Sequence, residues 1–331
     1  MKKHSVVVIG GGTGTHTVLR GLKLYQKQID VAAIVTMADS GGSTGRLRDE
    51  FGYLPVGDVR MALAALASDV DEHEELVREL FLYRFEKGNG LSGHNFGNLL
   101  LVALTDILGS EAAAIRAASK LLNVQGSVIP VTTEKVNLVA TYDDGVELVG
   151  EHGIDEPTKD RAEHSIVSLS VTPRAVVSEA AEAAILNADL VVLGPGDLYT
   201  SVLANCVVDG VAEAIQNTTA QVVYVSNLMT KHGQTTGMGV SEHVAEISRY
   251  VGRMPDAVIV NTAPLPEELL GRYADDGEYP VAFNCESNDC RVVPADLLGE
   301  EVVQKSGGDT LKRSLIRHDS RKLARKLIGL L

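Results

Sequence analysis

The sequence predicts an α/β fold with a doubly wound, Rossmann-like and mostly parallel sheet. Three observations lead to this fold class: continuously apolar runs alternate with helical patterns, the runs are rich in Val and Ile, and glycine-rich turns follow the first two runs. Strands are expected at 5–9, 31–36, 189–193, 221–225 and 256–260. Helices are expected at 14–27, 58–68, 73–84, 96–107, 111–122, 178–187, 200–217, 241–251 and 265–274.

The middle of the chain has a different pattern. Residues 127–172 are β-rich, and the tripeptide Asp143-Asp144-Gly145 is typical of a hairpin turn between two strands. Strand-like runs lie at 137–142, 146–150 and 165–171. We therefore expect a small antiparallel section within a single nucleotide-binding domain that spans residues 1–331.

The composition excludes several classes of protein. The 331 residues are 45% hydrophobic and 22% charged, which is ordinary for a globular protein. The formal net charge is −14 and Trp is absent, so the chain lacks the positive charge and the stacking surface typical of nucleic-acid binding. No apolar run approaches the roughly 18 residues of a membrane-spanning helix. The three cysteines form no CxxC pair, which favours a reducing, cytoplasmic location.

The first glycine-rich turn, residues 10–15 (GGGTGT), follows the strand predicted at 5–9. Glycine lets the backbone approach a pyrophosphate closely, and the N-terminus of the following helix attracts negative charge. Thr15 stands where the dinucleotide fingerprint requires Gly or Ala. The turn therefore favours phosphate binding in general over a dehydrogenase-type dinucleotide site.

The second glycine-rich turn, residues 38–48 (ADSGGSTGRLR), follows the strand predicted at 31–36. Asp39 lies just beyond the carboxyl end of that strand, where a carboxylate can bind a ribose or a metal ion. The hydroxyls and backbone N–H groups of the turn, together with Arg46 and Arg48, offer partners for an anion. A solvated surface loop is the alternative, but two such turns at adjacent strand ends favour a ligand site.

Polar residues also follow the later predicted strands. Residues 194–201 (GPGDLYTS) follow the strand at 189–193, and residues 226–235 follow the strand at 221–225. Because the carboxyl ends of parallel strands meet at one sheet edge, both loops are candidates for the same site. For the loop at 226–235 an ordinary surface loop explains the pattern equally well.

Two further segments carry candidate binding groups. Asp58 is expected to cap the helix predicted at 58–68, and Arg60 in its first turn opposes the helix dipole, which makes it a candidate for anion contact. Asn95 and Asn98 offer amide groups that read a base, a sugar or an amide by hydrogen bonds.

The C-terminal segment differs in charge from the rest of the chain. Residues 312–326 contain seven Lys or Arg and one Asp. Asp319 is expected to cap a last helix whose leucines share one face, which leaves most of the basic residues on a solvated face. Arg317 lies just before that cap, and we expect it to contact phosphate.

These motifs, in this order, resemble the family of 2-phospho-L-lactate transferase-like (CofD-like) proteins and, within it, the bacterial branch called the gluconeogenesis factor or YvcK family. The resemblance covers nearly the whole chain. Its motifs are GGGTGT, IVTMADSGGSTGRLRDE, PVGDVR, YRFEKGNGLSGHNFGNLLL, LNVQGSVIPVT, ADLVVLGPGDLYTSVLAN, YVSNLMTKHGQTTGM and LIRHD.

The resemblance implies a soluble bacterial regulator that binds a nucleotide sugar such as UDP-N-acetylglucosamine, or a dinucleotide. It further implies a role in carbon metabolism, cell-wall precursor supply and cell shape. The alternative is the transferase branch, which moves a phospholactyl-type group from a nucleotide-activated donor to a deazaflavin alcohol, so enzymatic activity is left open. The regulator requires no cofactor, and Mg²⁺ is optional. A metabolic enzyme and a second copy of the chain are left open as partners.

Matched position by position, the family motifs imply a ligand site, with Asp39 and Arg46 as candidate catalytic residues and Asp39 as the candidate metal ligand. The chain departs from the family pattern where Ser40 replaces the second of two aspartates and where Thr15-His16 replace a Leu-Ser pair. The loss of one carboxylate makes a metal-dependent transfer mechanism less favourable, because a divalent ion that bridges phosphates also needs carboxylate oxygens as ligands. The implied ligand-binding residues are Gly10, Gly11, Gly12, Thr13, Gly14, Asp39, Ser40, Ser43, Gly45, Arg46, Asp58, Arg60, Asn95, Asn98, Gly194, Pro195, Gly196, Tyr199, Thr200, Ser201, Asn227, Tyr273 and Arg317.

Overall fold

The computed structural model describes residues 2–285, 290–299 and 315–331. Its strands are β1 (His4–Gly10), β2 (Ile29–Val35), β3 (Ser127–Pro130), β4 (Asn137–Tyr142), β5 (Glu147–Val149), β6 (Ile166–Thr172), β7 (Leu190–Leu193), β8 (Gln221–Val225), β9 (Ala257–Asn261) and β10 (Arg291–Ala295). Its α-helices are α1 (Gly12–Leu22), α2 (Gly42–Phe51), α3 (Gly57–Leu66), α4 (Glu72–Leu82), α5 (Phe96–Leu108), α6 (Glu111–Leu121), α7 (Glu151–Asp155), α8 (Lys159–Ala162), α9 (Glu179–Leu186), α10 (Ala204–Cys206), α11 (Val211–Asn217), α12 (Val240–Val251), α13 (Glu267–Asp275) and α14 (Ser320–Ile328). A 3-10 helix covers Lys23–Tyr25 and a π-helix covers Leu198–Leu203.

Within the described residues, seven strands form one parallel sheet in the order β10-β9-β8-β7-β1-β2-β3. The predicted α/β fold is confirmed, and all five predicted strands belong to this sheet. Residues 6–9 of β1 are fully buried, because β1 lies between β2 and β7 and helices cover the sheet. The strand order reverses between β1 and β7, which places the usual ligand crevice of such sheets beside the turns after these two strands.

The β-rich middle section forms a separate antiparallel sheet in the order β5-β4-β6. Its hairpin is closed as predicted: Tyr142 N–H donates to the Val146 carbonyl at 2.9 Å, and Gly145 has a φ of +81°. The antiparallel section begins at Asn137 rather than at residue 127, because β3 pairs in parallel with β2 and extends the large sheet.

Several segments differ from the predicted helices and strands. Helix α2 begins inside the second glycine-rich turn, where Gly45 N–H donates to the Gly41 carbonyl at 2.9 Å. The helix predicted at 200–217 is divided into the π-helix, α10 and α11, and Gly210, with a left-handed φ of +94°, lies between α10 and α11. Strand β10 adds an edge to the sheet that the sequence did not predict.

Helix α14 follows the prediction and packs on α1. Asp319 accepts a hydrogen bond from Lys322 N–H at 2.7 Å and so caps the helix, while Leu323 and Leu327 are fully buried. The contact is close because Gly21 of α1 has no side chain; a Cβ there would overlap the Ser320 carbonyl. In the part of the chain that the structure describes, no helix has both the length and the apolar character to span a bilayer.

Candidate functional site

A cavity of about 260 Å³ lies at the carboxyl edge of the large sheet. Its walls come from the turns after β1, β2, β7 and β8, from α3, α5 and α7, and from residues 316–318 before α14. The two glycine-rich turns and the two later loops therefore meet at one place. The predicted residues that line the cavity are Gly11, Gly12, Thr13, Gly14, Asp39, Ser43, Asp58, Arg60, Asn98, Pro195, Gly196, Thr200, Ser201, Asn227, Tyr273 and Arg317.

The first glycine-rich turn is occupied by a carboxylate of the chain itself. Gly12 N–H, at the start of α1, donates to Asp58 Oδ1 at 2.7 Å. A Cβ at Gly11 would overlap the same carboxylate, and a Cβ at Gly14 would overlap the Pro195 carbonyl. The prediction that Asp58 caps α3 is wrong, because α3 begins at Gly57 and the Asp58 side chain turns to α1. The glycines of this turn thus allow close contact with neighbouring protein groups.

In the second glycine-rich turn the N-cap residue is again a glycine, Gly41, so α2, like α1, has no side-chain cap from its own N-cap residue. Ser43 and Thr44 in the first turn of α2 line the cavity. Beside them, Asp39 Oδ1 accepts a hydrogen bond from Gly41 N–H at 2.9 Å. Burial raises the pKa of Asp39 above its usual value, although Gly41 N–H, Thr44 and Arg60 act in the opposite direction. The first turn of α2 lines the cavity, and the helix dipole at this N-terminus suits an anion.

The segment 93–98 folds around the Ser43 hydroxyl. Asn95 N–H and Asn98 Nδ2 donate to Ser43 Oγ at 3.3 and 3.2 Å, and His94 Nδ1 lies 3.1 Å from the same oxygen. Because both lone pairs of Oγ accept hydrogen bonds, its hydrogen is donated to His94. Asn98 Oδ1 in turn accepts from Arg60 Nε at 2.8 Å. The two asparagines therefore position Ser43 and Arg60.

Asn227 ties the loop after β8 to the loop after β7. Its Nδ2 donates to the Gly196 carbonyl at 2.8 Å, and its Oδ1 lies 3.4 Å from the Tyr224 hydroxyl. The Tyr224 hydroxyl lies 2.8 Å from His243 Nδ1, and both of these side chains are fully buried. Buried core side chains thus hold Asn227 in place, and Asn227 in turn fixes the loop at Gly196.

Helix α7 of the antiparallel section brings two carboxylates to the cavity that the sequence analysis missed. Glu151 Oε2 accepts from Ser40 N–H at 3.3 Å, and Asp155 Oδ1 accepts from the Thr200 hydroxyl at 3.2 Å. Burial, together with the charges of Asp39 and Asp155, raises the pKa of Glu151 well above its usual value. The available signal was the EHGID sequence, because residues four apart on a helix share one face.

Lys231 lies among carboxylates at the same cavity. Its Nζ is 3.7 Å from Asp155 Oδ1 and 3.9 Å from Asp197 Oδ2. Burial by itself lowers the pKa of Lys231, but Asp197, Asp155 and Glu278 raise it, so the amine stays protonated. Burial raises the pKa of Asp197 to about 7, against the opposite effect of Lys231. The Asp197 carboxyl is therefore expected to titrate near neutral pH.

Three arginines, Arg60, Arg84 and Arg317, add positive charge to the cavity lining. Arg317 depends on two supports for its position. The segment that carries it is followed by α14, which packs on α1. The segment is also held by Tyr273, whose hydroxyl accepts hydrogen bonds from the N–H groups of residues 315 and 316 at 2.7 and 3.1 Å. Tyr273 therefore holds the backbone beside Arg317.

Other predicted residues support the walls without lining the cavity. Arg46, the second candidate catalytic residue, lies on the outer face of α2, where Nη2 donates to the Ser92 carbonyl at 3.2 Å. The Tyr199 hydroxyl donates to Glu246 Oε1 at 2.8 Å. The predicted residues outside the described lining are Gly10, Ser40, Gly45, Arg46, Asn95, Gly194 and Tyr199.

Asp39 is the carboxylate best placed to hold a divalent cation in the cavity. Asp39 is half-buried and lies in the field of Glu151 and Asp155, so a cation would offset the negative charge of these carboxylates. One or two carboxylates are enough to bind Mg²⁺, because water molecules and substrate phosphate supply its other ligands. In the described chain, Asp143, Asp144 and His164 form a separate group on the antiparallel section, and Asp144 there already receives two hydrogen bonds from Arg161.

Comparison with known proteins agrees with this fold and sequence. The model of the family described as 2-phospho-L-lactate transferase CofD matches residues 6–298. The putative gluconeogenesis factor of Thermotoga maritima is 42% identical over 320 residues, covering 96% of this chain and 96% of that protein. The gluconeogenesis factor of Bacillus subtilis is 39% identical over 333 residues, covering 100% of this chain and 99% of that protein.

Solved structures give the same result. A crystal structure of a protein from Bacillus halodurans is 37% identical and superimposes with a TM-score of 0.87, covering 99% of this chain and 100% of that chain. The resemblance inferred from the sequence motifs is confirmed. The chain therefore belongs to the 2-phospho-L-lactate transferase CofD family and is similar over its whole length to bacterial proteins named gluconeogenesis factor.

Proposed function

We propose that this protein binds a nucleotide sugar of the UDP-N-acetylglucosamine class and acts as a cytoplasmic gluconeogenesis factor. One observation carries the proposal: the first turn of α2 and the residues Arg60 and Arg317 line the same cavity. N–H groups at a helix N-terminus and arginine guanidinium groups are both preferred partners of phosphate oxygens. A diphosphate between two organic groups suits this combination. Residues 1–331 then act as one nucleotide-binding domain.

The carboxylates of the cavity suit the sugar of such a ligand. Carboxylate oxygens accept hydrogen bonds from sugar hydroxyls. Glu151, Asp155 and Asp197 line the cavity, and Lys231 beside them is a donor. The diphosphate of the ligand would thus lie beside α2 and the arginines. The sugar hydroxyls would lie among the carboxylates. Mg²⁺ at Asp39 would offset carboxylate charge beside the diphosphate, but the arginines bind phosphate without it.

The biological role follows from the relatives. Proteins similar over the whole chain are named gluconeogenesis factor. In the proposed role, occupancy of the cavity sets the affinity for a metabolic enzyme, and so links carbon metabolism to the supply of cell-wall precursors and to cell shape. This role requires binding and release of the ligand and no turnover.

Calorimetry with UDP-N-acetylglucosamine tests the proposal. Wild type should bind, and Arg317→Ala should bind about 10- to 100-fold more weakly, because a charge-assisted hydrogen bond to phosphate is lost. Arg325→Ala is the matched control, since Arg325 lies on the exposed face of α14. No binding by wild type, or equal binding by Arg317→Ala, would contradict the proposal.

Transferase activity is the second candidate, favoured by the family description itself, 2-phospho-L-lactate transferase. In this alternative Arg60 stabilises the charge on the phosphate in transfer, and a Mg²⁺ ion held by Asp39 supplies Lewis-acid chemistry. Incubation with Mg²⁺, a nucleotide-activated phospholactate donor and a deazaflavin alcohol should then give product. Asp39→Asn should abolish it. Absence of product with wild type would exclude this alternative for these substrates.

A further inference from the structure

Asp155, Asp197 and Lys231 form one charged cluster at the cavity. Lys231 Nζ lies 3.7 Å from Asp155 Oδ1 and 3.9 Å from Asp197 Oδ2. The three residues come from different parts of the fold, namely α7, the loop after β7 and the loop after β8. All three line the cavity, and the side chain of Asp197 is 37% exposed. A ligand in the cavity can therefore contact this cluster directly.

The two carboxyl groups of the cluster are hydrogen-bonded to each other. Because ionised carboxylates only accept hydrogen bonds, this bond requires a proton on one of the two groups. Asp155 Oδ1 already accepts hydrogen bonds from the Thr200 hydroxyl and from Gln234 Nε2, both at 3.2 Å. Asp155 is therefore the acceptor, and Asp197 holds the proton. Burial raises the pKa of Asp197 to about 7, against the opposite effect of Lys231, so this proton is lost near neutral pH.

The surroundings of Asp197 make its charge sensitive to a ligand. Asp155 faces it from α7, Glu278 faces it from the segment after α13, and Lys231 is the base that faces it from the loop after β8. A diphosphate in the cavity adds negative charge, which disfavours the ionised form of Asp197 further. The ligand and the proton therefore favour each other's binding.

The charge of the whole cavity acts in the same direction. The described lining holds six carboxyl groups and four Lys or Arg side chains, so a ligand with two negative charges enters a site that already has an excess of acids. One proton on the cluster reduces this excess. The acids are Asp39, Asp58, Glu151, Asp155, Asp197 and Glu278, and the bases are Arg60, Arg84, Lys231 and Arg317.

We propose that the nucleotide sugar binds with Asp197 in its protonated form, so that above neutral pH each binding event takes up one proton at the Asp155–Asp197 pair. The proposal rests on the proposed binding of a nucleotide sugar and adds a regulation of that same site by pH. In the complex, the Asp197 carboxyl keeps its hydrogen bond to Asp155 and leaves the sugar end of the cavity less negative. Loss of the proton introduces a charge that opposes the ligand.

Calorimetry with UDP-N-acetylglucosamine at pH 6 and pH 8 tests the proposal. Wild type should bind about tenfold more weakly at pH 8, because Asp197 must first regain its proton. The diphosphate is esterified at both ends and keeps its charge constant over this range. At pH 8 the measured heat should also change with the ionisation enthalpy of the buffer, with a slope of about one proton. Equal affinity at both pH values and no proton uptake overturn the proposal and leave the proposed function intact. No binding at either pH overturns the proposed function, and this proposal with it.

Asp197→Asn connects the effect to this residue. The Asn amide donates to Asp155 as the protonated carboxyl does, but it does not titrate. Its affinity should change less than about threefold between pH 6 and pH 8, with little proton uptake. Glu151 and His152 of α7 also line the cavity and titrate in both proteins, so the difference between wild type and variant belongs to Asp197. An equal fall in affinity in both proteins places the proton elsewhere and overturns the proposal.

Asp296→Asn is the matched control, because Asp296 lies outside the described cavity lining and bonds to Lys322. It should keep the wild-type fall in affinity. If Asp197→Asn is too unstable to measure, the buffer series with wild type decides alone, since a slope near zero at pH 8 contradicts proton uptake.

Discussion

The two glycine-rich turns look alike in sequence, but the structure gives them different partners. In the first turn, Gly12 N–H at the start of α1 binds the carboxylate of Asp58. In the second, the carboxylate of Asp39 accepts from Gly41 N–H just before α2, while Ser43 and Thr44 in the first turn of the helix line the cavity. A glycine-rich turn before a helix thus identifies a place for negative charge. Whether that charge comes from the chain or from a ligand depends on what the fold places there.

The largest effect is expected from adding a carboxylate to the second turn at the N-cap of α2. Gly41→Asp places a carboxylate at the N-cap of α2, where the φ of −91° accepts any residue. It would take the N–H groups of Ser43 or Thr44 and repel a diphosphate. Calorimetry should show UDP-N-acetylglucosamine affinity about 100-fold lower. Gly41→Asn is the neutral control and should lose much less. Unchanged affinity in Gly41→Asp would show that the ligand avoids α2.

The next effect concerns close packing at the first turn. A Cβ at Gly14 would overlap the Pro195 carbonyl, so Gly14→Ala should lower the free energy of unfolding by about 2 to 3 kcal/mol. Gly271→Ala in α13 is the control, because no atom lies near its added Cβ. That control should be stabilised by about 0.5 to 1 kcal/mol. Urea unfolding measures both. If Gly14→Ala is as stable as wild type, the two loops do not pack as closely as described.

Removing Asp58 tests its role as an internal anion. Asp58→Ala leaves Gly12 N–H without its carboxylate and should lower the free energy of unfolding by about 1 to 2 kcal/mol. Nucleotide affinity should not fall, because negative charge is lost from the cavity. Asp71→Ala is the matched control, since Asp71 caps α4 outside the cavity through a 2.8 Å bond from Glu74 N–H. A tenfold fall in affinity for Asp58→Ala alone would instead make Asp58 a ligand contact.

The last effect is a pH dependence from Asp197. Its pKa is about 7 in the folded protein, above its ordinary value of 3.8, so the folded state binds this proton more tightly than the unfolded chain. This contribution to stability is present at low pH and is lost as the pH rises from 3.8 through 7. Between pH 5 and pH 8 the free energy of unfolding should therefore fall in wild type, and fall less in Asp197→Asn.

Asp296→Asn is the control for this measurement. Lys322 lowers the pKa of Asp296 below its ordinary value, so its titration lies below the chosen pH range. Urea unfolding at the two pH values should show the same fall as in wild type. If the free energy of unfolding falls by the same amount in Asp197→Asn, Asp197 is ionised throughout the range from pH 5 to pH 8 and its pKa is not raised.

The sequence was sufficient for the features that depend on local pattern. The buried strands β1, β2, β7, β8 and β9 are read from continuous apolar runs, and their order along a parallel sheet brings their following loops to one edge. The hairpin at Gly145 and the cap at Asp319 are likewise local, since the residues that form them are neighbours in sequence. Motif spacing therefore located most of the cavity lining.

Contacts between distant segments were not predictable in the same way. Glu151 and Asp155 reach the cavity because the antiparallel section folds back on the large sheet, with Glu151 bonded to Ser40 across more than a hundred residues. The rotation of α2 turns Arg46 away from the cavity while Ser43 faces it. Spacing places Glu151 and Asp155 on one helix face, but neither residue type nor spacing gives the direction in which that face or Ser43 points. The missed residues therefore lie at junctions between elements, where only tertiary structure decides direction.

The position of the diphosphate is the most direct test of this account. A crystal structure of the protein with UDP-N-acetylglucosamine should place diphosphate oxygens within hydrogen-bond distance of the Ser43 or Thr44 N–H groups and near Arg60 or Arg317. The Asp58 bond to Gly12 should persist in that complex. A diphosphate bound instead at the N-terminus of α1, with Asp58 displaced from Gly12, would contradict the distinction between the two turns.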